Sequence, residues 1–322
     1  MERGNKQKIM MVCMVVLLIS VLGVGCSTSN NKETDGTEAT SSLTLGLLPS
    51  IDAIPFIVAH EQGFDKEHGV NLDIQTFKSA KDRDVAFQAG KLDGISADLV
   101  AIAIYNEAGL DVKVTSTTFG EFDLLTGNND IREVKDLKGK TVILSKNTST
   151  EYTVATMLKK AGLTEKDITV TEVPQIPTRL ELLKNNKADA AILPEPYVTM
   201  GKSAGLRVLS STLDAGVNPF VLAFQQKTIS EKEQEILAMY AAYDDAVNYM
   251  QTHEQSEYMD LIIKEVGYPE SLKNDIIVPK YLPSNQVNVQ EVEAAFTWAR
   301  EKGLLSKKIL PEEVISDVAF GK

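Results

Sequence analysis

The chain has 322 residues, 43% of them apolar and 24% charged, a size and composition that predict two globular domains. A formal net charge of −12 argues against a phosphate-binding surface, so nucleic acid is not an expected partner. With two cysteines and three histidines, the chain has too few of these residues for a disulfide framework or a zinc cluster, and we expect neither a metal nor a cofactor.

The N-terminal segment predicts export. Positive charges at Arg3, Lys6 and Lys8 precede an apolar run over 9–22, and small residues then lead to Cys26. The run is short for a membrane span and is typical of a secretory signal, which we place at 1–25. A cysteine directly after small residues resembles a bacterial lipobox, so we expect lipidation at Cys26. An ordinary signal with an incidental cysteine stays open.

Residues 27–42 contain no large apolar residue and many Ser and Thr. Such a segment cannot bury enough surface to fold, so we predict a lipidated tether over 26–42. This tether would anchor the globular part of the chain to the cell membrane on its extracytoplasmic side, in contact with the lipid bilayer through the acylated Cys26.

From residue 43 onward, short apolar runs alternate with amphipathic stretches. The pattern predicts strands at 43–48, 70–74, 92–96 and 112–115 and helices at 53–64, 81–89 and 99–108. A second series follows, with strands at 140–144, 168–173 and 188–193 and helices at 151–160 and 178–184. This alternation is typical of βαβ units, so we expect an α/β fold with parallel-rich sheets.

The two series also match each other. Thr44 corresponds to Thr141 at a spacing of 97 residues, and Asp93 corresponds to Asp189 at a spacing of 96. The match predicts two similar lobes of about a hundred residues each. An internal repeat or the shared construction of βαβ units would each explain it.

The last third of the chain is predicted to be helical. One more strand is expected at 220–224, and helices at 231–251 and 292–298 follow it. Because no strands remain for a third sheet, we expect this tail to pack on the first lobe. The first lobe then comprises 43–121 and 221–322 and the second 122–220, with crossings at 121–123 and 218–220.

In open parallel sheets, ligands bind beyond the carboxyl ends of the strands, which places the site between the lobes. Asp52 either caps the next helix or meets the ligand. Thr148 and Glu151 have capping-box spacing, and the helix that they open offers free N–H donors. Glu195 stands between two prolines and is expected to contact the ligand or the other lobe. The candidate ligand contacts are Ser50, Asp52, Ile54, Ser96, Ala97, Thr118, Phe119, Asn147, Ser149, Thr150, Tyr152, Glu195, Tyr197 and Asn218.

The candidate loops carry more acids than bases. Their acids are Asp52, Asp98, Glu121 and Glu195, and their one base is Lys146. An anion without a cationic part would need more positive partners, so this balance favours an amine-bearing or nitrogen-heterocyclic ligand over nitrate.

Several segments, taken in order, resemble the substrate-binding lipoproteins of ABC importers for nitrate, aliphatic sulfonates, taurine and thiamine-precursor pyrimidines. These segments are 49–64, 90–94, 134–142, 148–152 and 187–197. The resemblance implies a two-lobed type II periplasmic-binding-protein fold with a hinge that closes on a small organic molecule. It also implies an ABC permease and its ATPase as partners. We expect a monomer that is not an enzyme.

Two other functions stay open on the sequence alone. One is a sensory or surface-binding module without a transporter, and the other is an enzyme on the same fold. The export signal and the lack of a Ser-His-Asp, Cys-His or metal-ligand pattern in the sequence argue against the enzyme.

Overall fold

The computed structural model describes residues 41–320, which form two five-stranded sheets with helices packed against them. The predicted signal, the lipidation site Cys26 and the tether as far as residue 40 lie outside the described residues. The strands are β1 Ser41–Leu47, β2 Val70–Thr76, β3 Gly94–Asp98, β4 Val112–Thr117, β5 Phe122–Thr126, β6 Thr141–Leu144, β7 Thr169–Glu172, β8 Ala190–Pro194, β9 Arg207–Ser211 and β10 Phe220–Gln225.

The α-helices are α1 Ile54–Glu61, α2 Phe64–Glu67, α3 Ala80–Gln88, α4 Leu99–Glu107, α5 Ser149–Lys160, α6 Ile176–Lys184, α7 Tyr197–Ser203, α8 Thr212–Ala215, α9 Gln226–Glu231, α10 Glu233–Thr252, α11 Met259–Ile262 and α12 Val289–Glu301. Short 3-10 turns occur at Ile51–Ala53, Val134–Leu137, Glu165–Asp167, Gln255–Glu257, Glu270–Asp275, Pro311–Val314 and Val318–Phe320, and a π turn occurs at Ile263–Gly267. Within 41–320, no helix is both long enough and apolar enough to cross a membrane.

The two sheets have the same construction. The first has the order β2-β1-β3-β10-β4 and the second the order β7-β6-β8-β5-β9. In each sheet four strands run in one direction, and the remaining strand, β10 or β5, is antiparallel to both of its neighbours. That reversed strand is the one that the chain enters from the other lobe. The expected α/β fold with two parallel-rich sheets is confirmed.

Matching hydrogen bonds support the correspondence between the lobes. The Thr44 N–H donates to Asp93 Oδ2 at 2.9 Å, and the Thr141 N–H donates to Asp189 Oδ2 at the same distance. The N–H of each aspartate donates back to the carbonyl of its threonine, again at 2.9 Å in both lobes. The paired residues found in the sequence therefore make the same contacts, which join β1 to the residue before β3 and β6 to the residue before β8.

Several elements differ from the sequence prediction. Strands β5 and β9 and helices α7 and α8 were missed, and Phe122 and Asp123, assigned to a crossing, are the first residues of β5. These strands are short, and β5 is held by antiparallel pairing to β8 and β9, which local patterning does not reveal. The helix predicted from residue 53 ends near Gly63 as expected, because Gly63 has a left-handed φ of 85° just after α1.

The tail packs on the first sheet. Helix α10 joins the hydrophobic core that contains β1 and α1, where the rings of Phe56 and Tyr243 lie 4.8 Å apart. Helix α12 joins the core on the other side, with α4 and β4. The buried Tyr281 hydroxyl donates to the Ile51 carbonyl at 2.7 Å, so the tail also supports the loop that follows β1.

Candidate functional site

A cleft between the lobes contains a cavity of about 50 Å³. It lies beyond the carboxyl ends of strands from both sheets, where the sequence analysis places a ligand. Its walls are Leu48, Ser50, Asp52, Ala80, Arg83, Ser96, Ala97, Asp98, Glu121, Phe122, Ser145, Thr148, Ser149, Thr150, Ile176, Arg179, Pro194 and Phe220. Because both lobes supply these residues, a ligand here would contact both at once.

The loop after β1 supplies a buried carboxyl. Asp52 is 5% exposed and accepts a hydrogen bond from the Ser50 hydroxyl. Burial raises the pKa of Asp52, while the Ser50 hydrogen bond and the nearby charge of Arg83 oppose this rise. The prediction that Asp52 caps the next helix is wrong, because α1 has no side-chain cap.

The loop after β3 is organised by Asp98. Its carboxylate caps α4 by accepting from the N–H groups of Val100 and Ala101 at 3.0 and 2.9 Å. Those two N–H groups at the start of α4 therefore already have a partner. Ser96, Ala97 and Asp98 still line the cleft.

In the second lobe, the cleft wall is the N-terminus of α5. Thr148 caps this helix by accepting from the Thr150 N–H at 3.3 Å, and the Thr150 hydroxyl is held between the N–H and the carbonyl of Ser145. The predicted capping box is not formed, because the Glu151 carboxylate accepts from the N–H of Asn147 instead of Thr148. Thr148, Ser149 and Thr150 face the cleft beside the positive end of the helix dipole.

Two buried arginines line the cleft, and the sequence analysis missed both. Arg83, on α3, is 2% exposed and pairs with Asp84, with Nη2 2.7 Å from Oδ1, and its Nη1 donates to the Ser96 carbonyl. Burial is the largest single effect and lowers the pKa of Arg83, but the charge of Asp84, its hydrogen bond to Arg83 and the further charge of Asp98 act with Tyr105 to outweigh burial, and the pKa is raised. The positive charge of Arg83 is therefore already matched by a carboxylate.

Arg179, on α6, is 3% exposed and differs from Arg83 in its partners. Its guanidinium donates to the carbonyls of Val173, Ile192 and Pro174 at 2.7, 3.3 and 3.1 Å. Among residues 41–320 it has no carboxylate partner, and burial lowers its pKa to about 10. The cleft thus contains a desolvated positive charge balanced only by carbonyl dipoles.

The two arginines occupy equivalent positions in the lobes. They are 96 residues apart, and the carbonyls that their Nη1 atoms contact, those of Ser96 and Ile192, are also 96 apart. Each arginine stands ten residues before the aspartate of its repeat. The spacing that identifies the repeat therefore also relates the two arginines, which lie on helices α3 and α6 and not in the loops at the strand ends.

The structure brings part of the predicted set together. Ser50, Asp52, Ser96, Ala97, Ser149 and Thr150 line the cleft. The remaining candidates lie elsewhere in the described structure. Ile54 lies in the core that contains β1 and α1, and three aromatic candidates pack on neighbours: Phe119 on Tyr281, Tyr152 on Trp298, and Tyr197 on the core beside α6. Thr118 is buried near the connections between the lobes, and Asn218 donates to Thr117. Asn147 is exposed.

Glu195 does not reach the cleft wall, which at this strand end is formed by Pro194. Its carboxylate accepts from the N–H and the hydroxyl of Thr199, at 3.0 and 2.8 Å, and so satisfies the first turn of α7. Lys146 is exposed and also lies outside the cleft wall. Of the charged residues expected from the sequence, Asp52, Asp98 and Glu121 line the cleft and Glu195 and Lys146 do not, whereas Arg83 and Arg179 line it in addition.

Three carboxyl groups, those of Glu121, Asp123 and Glu195, lie close together where the chain crosses from the first lobe into the second. Burial, together with the charges of Glu121 and Glu195, raises the pKa of Asp123 to about 7. Burial also raises the pKa values of Glu121 and Glu195. Of the three, Glu121 is the one that lines the cleft, so it presents a carboxyl that accepts a proton more readily than an exposed one.

The two connections between the lobes meet at the base of the cleft. The rings of Phe122 and Phe220, which begin β5 and β10, have centroids 4.7 Å apart. A Cβ on Gly120 would lie 2.4 Å from the Phe220 ring, so only glycine allows this approach. At the cleft mouth, Lys81 pairs with Glu172, and the Gln175 amide donates to Asp82 at 2.9 Å. The lobes therefore touch at the base and at the mouth.

Comparisons with known proteins agree with this geometry. The chain is 24% identical to a Bacillus subtilis protein named as an aliphatic sulfonates-binding protein, over 98% of this chain and 96% of that one. It is 22% identical to a Brachyspira hyodysenteriae protein named as an ABC transporter periplasmic binding protein, over 77% of this chain and 76% of that one.

Among solved structures, the Escherichia coli periplasmic aliphatic sulphonate binding protein SsuA superposes with a TM-score of 0.71 at 19% identity, over 86% of this chain and 92% of that one. This likeness confirms the two-lobed periplasmic-binding-protein fold. Residues 50–257, more than half of the chain, match the family model described as NMT1/THI5 like. The resemblance found in the sequence is thus confirmed, and the chain belongs to the NMT1/THI5 like family.

Proposed function

We propose that this protein is the substrate-binding component of an ABC importer and captures a small organic molecule between its lobes. The observation that carries the proposal is the interlobe cleft, in which Arg179 is buried without a carboxylate partner among the described residues. A ligand that supplies the missing negative charge and touches both lobes would bind the closed form preferentially. The names of the two relatives, one for sulfonates and one for ABC transport, support the same function.

The cleft favours a ligand with groups of both signs. Arg179 has five N–H groups, of which three are used, so one on Nη1 and one on Nη2 remain for a planar or tetrahedral acid group. In the facing lobe, the buried carboxyl of Asp52 and the carboxyl of Glu121 suit an amine or a ring N–H. We therefore place sulfonates and taurine-like compounds first, and nitrogen heterocycles such as pyrimidines second.

We further propose that the protein is exported, cleaved before Cys26 and anchored by a lipid at that cysteine. The basic start, the short apolar run and the small residues before Cys26 support this, as do relatives named for periplasmic binding. Wild-type protein is expected to fractionate with membranes, and Cys26→Ala protein is expected to be released or left uncleaved. Equal partitioning of the two forms would contradict the lipid anchor.

Within the exported protein, we propose that the lobes 43–121 with 221–322 and 122–220 move about the connections near Phe122 and Phe220. A permease and its ATPase would receive the ligand from the closed monomer. Copurification of a permease with the wild-type protein from membranes would support this partnership. If no permease copurified from a strain that still imports the ligand through this protein, the proposed partnership would be contradicted.

The deciding experiment is a binding panel that separates the two charges. Taurine carries both, ethanesulfonate carries only the acid, ethylamine carries only the base, and uracil and nitrate represent the other classes. Thermal shift and titration calorimetry on the purified protein should rank taurine and ethanesulfonate above ethylamine. Binding of ethylamine or uracil in preference to both sulfonates would overturn the assignment of the ligand class.

Two alternatives follow from the fold. A sensory or surface-binding module would bind the same ligand, but deletion of the gene would leave uptake of that ligand unchanged. An enzyme on this fold would convert the ligand, so incubation with excess ligand followed by mass spectrometry would reveal a product. Recovery of the ligand unaltered, together with lost uptake in the deletion strain, would support the importer.

A further inference from the structure

The end of helix α12 makes an ion pair with the opposite lobe. Lys302, directly after α12, lies 2.9 Å from Glu151 Oε1 and 3.1 Å from Glu165 Oε1, measured from its Nζ. Helix α12 packs on the first sheet through Val292 and Phe296, in the core with α4 and β4, whereas Glu151 is in the first turn of α5 in the second lobe. This ion pair therefore joins the lobes behind the α5 wall of the cleft.

Glu151 is held between two partners. Its side chain is 4% exposed, so an unpaired charge at this position would be costly. One oxygen binds Lys302, and the other accepts from the Asn147 N–H at 2.7 Å. Asn147 has a φ of 59°, a left-handed conformation that residues other than glycine rarely adopt and that needs support from its surroundings.

The position of Lys302 is itself fixed by aromatic packing. Its ammonium lies 5.6 Å from the centroid of the Trp298 ring, one turn earlier on α12. The Trp298 ring packs on Tyr152 of α5, with centroids 5.6 Å apart. Trp298, Lys302 and Glu151 thus form a continuous contact from the first lobe to the Asn147 turn.

We propose that Lys302 is a positioning residue for the ligand cleft: through Glu151 it holds the Asn147 turn, which sets the placement of Thr148, Ser149 and Thr150 in the cleft wall. Its effect on ligand binding rests on the proposed function, but its effect on the turn does not. Coupling of this kind typically changes the equilibrium that it acts on, here the opening of the Asn147 turn or the binding of the ligand, by about 2- to 30-fold.

Hydrogen exchange of the full-length protein in detergent, without ligand, tests the turn directly. In Lys302→Met, exchange over 145–150 should be about 2- to 30-fold faster than in wild type, and Lys302→Arg should restore it because it keeps the charge. Glu165→Gln removes the second ion pair but does not touch Asn147, so its exchange should match that of wild type. Lys227→Met, which breaks an exposed pair within α9, is the matched control.

Unchanged exchange at 145–150 in Lys302→Met would overturn the proposal. Faster exchange spread over α5 and α12 together would also overturn it, because it would show general loss of packing. If Lys302→Met and Glu165→Gln changed the exchange rate over 145–150 equally, the proposal would also be overturned, because the effect would then come from removing a charge and not from the contact with Glu151. With taurine or ethanesulfonate as the probe, Lys302→Met should weaken binding by a factor similar to its effect on exchange. If neither probe binds wild type, the ligand class is wrong, while the exchange result still decides the role of Lys302.

Discussion

Substitution of Arg179 by methionine tests the charge on which the proposed function rests. Methionine keeps much of the side-chain volume and removes the guanidinium. For a ligand whose acid group binds the two free N–H groups, loss of a buried, hydrogen-bonded charge partner costs roughly 2–4 kcal/mol. The affinity for taurine or ethanesulfonate should therefore fall about 30- to 1,000-fold.

The same substitution has two opposing effects on stability. Burial lowers the pKa of Arg179 from its usual value to about 10, which corresponds to about 3 kcal/mol of unfavourable desolvation that methionine removes. The substitution also leaves the carbonyls of Val173, Pro174 and Ile192 without this donor, at about 1–3 kcal/mol each. The three carbonyls together cost about 3–9 kcal/mol, so we expect a net loss of about 0–6 kcal/mol in the free energy of unfolding, and the denaturant melt shows whether the variant is folded before its affinity is compared.

Arg207→Met is the matched control, because Arg207 also donates to backbone carbonyls in the second lobe, those of Asn128 and Ile131, but lies outside the cleft wall. Titration calorimetry gives the affinities, and denaturant melts give the stabilities. A folded Arg179→Met that binds sulfonates as tightly as wild type would refute the reasoning. An equal loss of affinity in Arg207→Met would refute it as well, since the effect would then not depend on the cleft.

Three further predictions concern the carboxyl groups and the hinge. Burial and the neighbouring carboxyls raise the pKa of Asp123 to about 7 in the folded protein, against its usual value of 3.8. The folded protein therefore binds this proton more tightly than the unfolded chain does, and the free energy of unfolding should fall as the pH rises from about 4 to about 7. Asp123→Asn should remove this pH dependence, and its free energy of unfolding at pH 8 should exceed that of wild type by roughly 1–4 kcal/mol. Denaturant melts of the variant that show the same pH dependence as wild type would contradict the raised pKa. Glu195→Gln should cost about 0.5–1.5 kcal/mol of stability by weakening its bonds to Thr199, with little change in sulfonate affinity, and a tenfold affinity loss would return Glu195 to the ligand site. Finally, scattering should give a smaller radius of gyration with bound ligand, and an unchanged radius at saturation would argue against hinge closure.

Local sequence patterns predicted most of the fold. Alternating strands and helices indicated two α/β lobes, and the matched Thr44–Asp93 and Thr141–Asp189 pairs make identical contacts in the structure. This worked because buried parallel strands and their covering helices are encoded by short-range apolar patterning. The position of the cleft also followed, since ligands in such sheets bind where the parallel strands end.

The chemistry of the cleft was decided by the tertiary structure. Arg83 and Arg179 lie on helices, and only packing turns them inward against the carbonyls of Ser96 and Ile192. Packing likewise turns Glu195 away, towards Thr199. Strand β5 is short, and its pairing partners β8 and β9 are distant in the chain. Sequence determined the alternation of strands and helices in an α/β fold, because that depends on neighbours along the chain, whereas the charge presented to a ligand depends on neighbours in space.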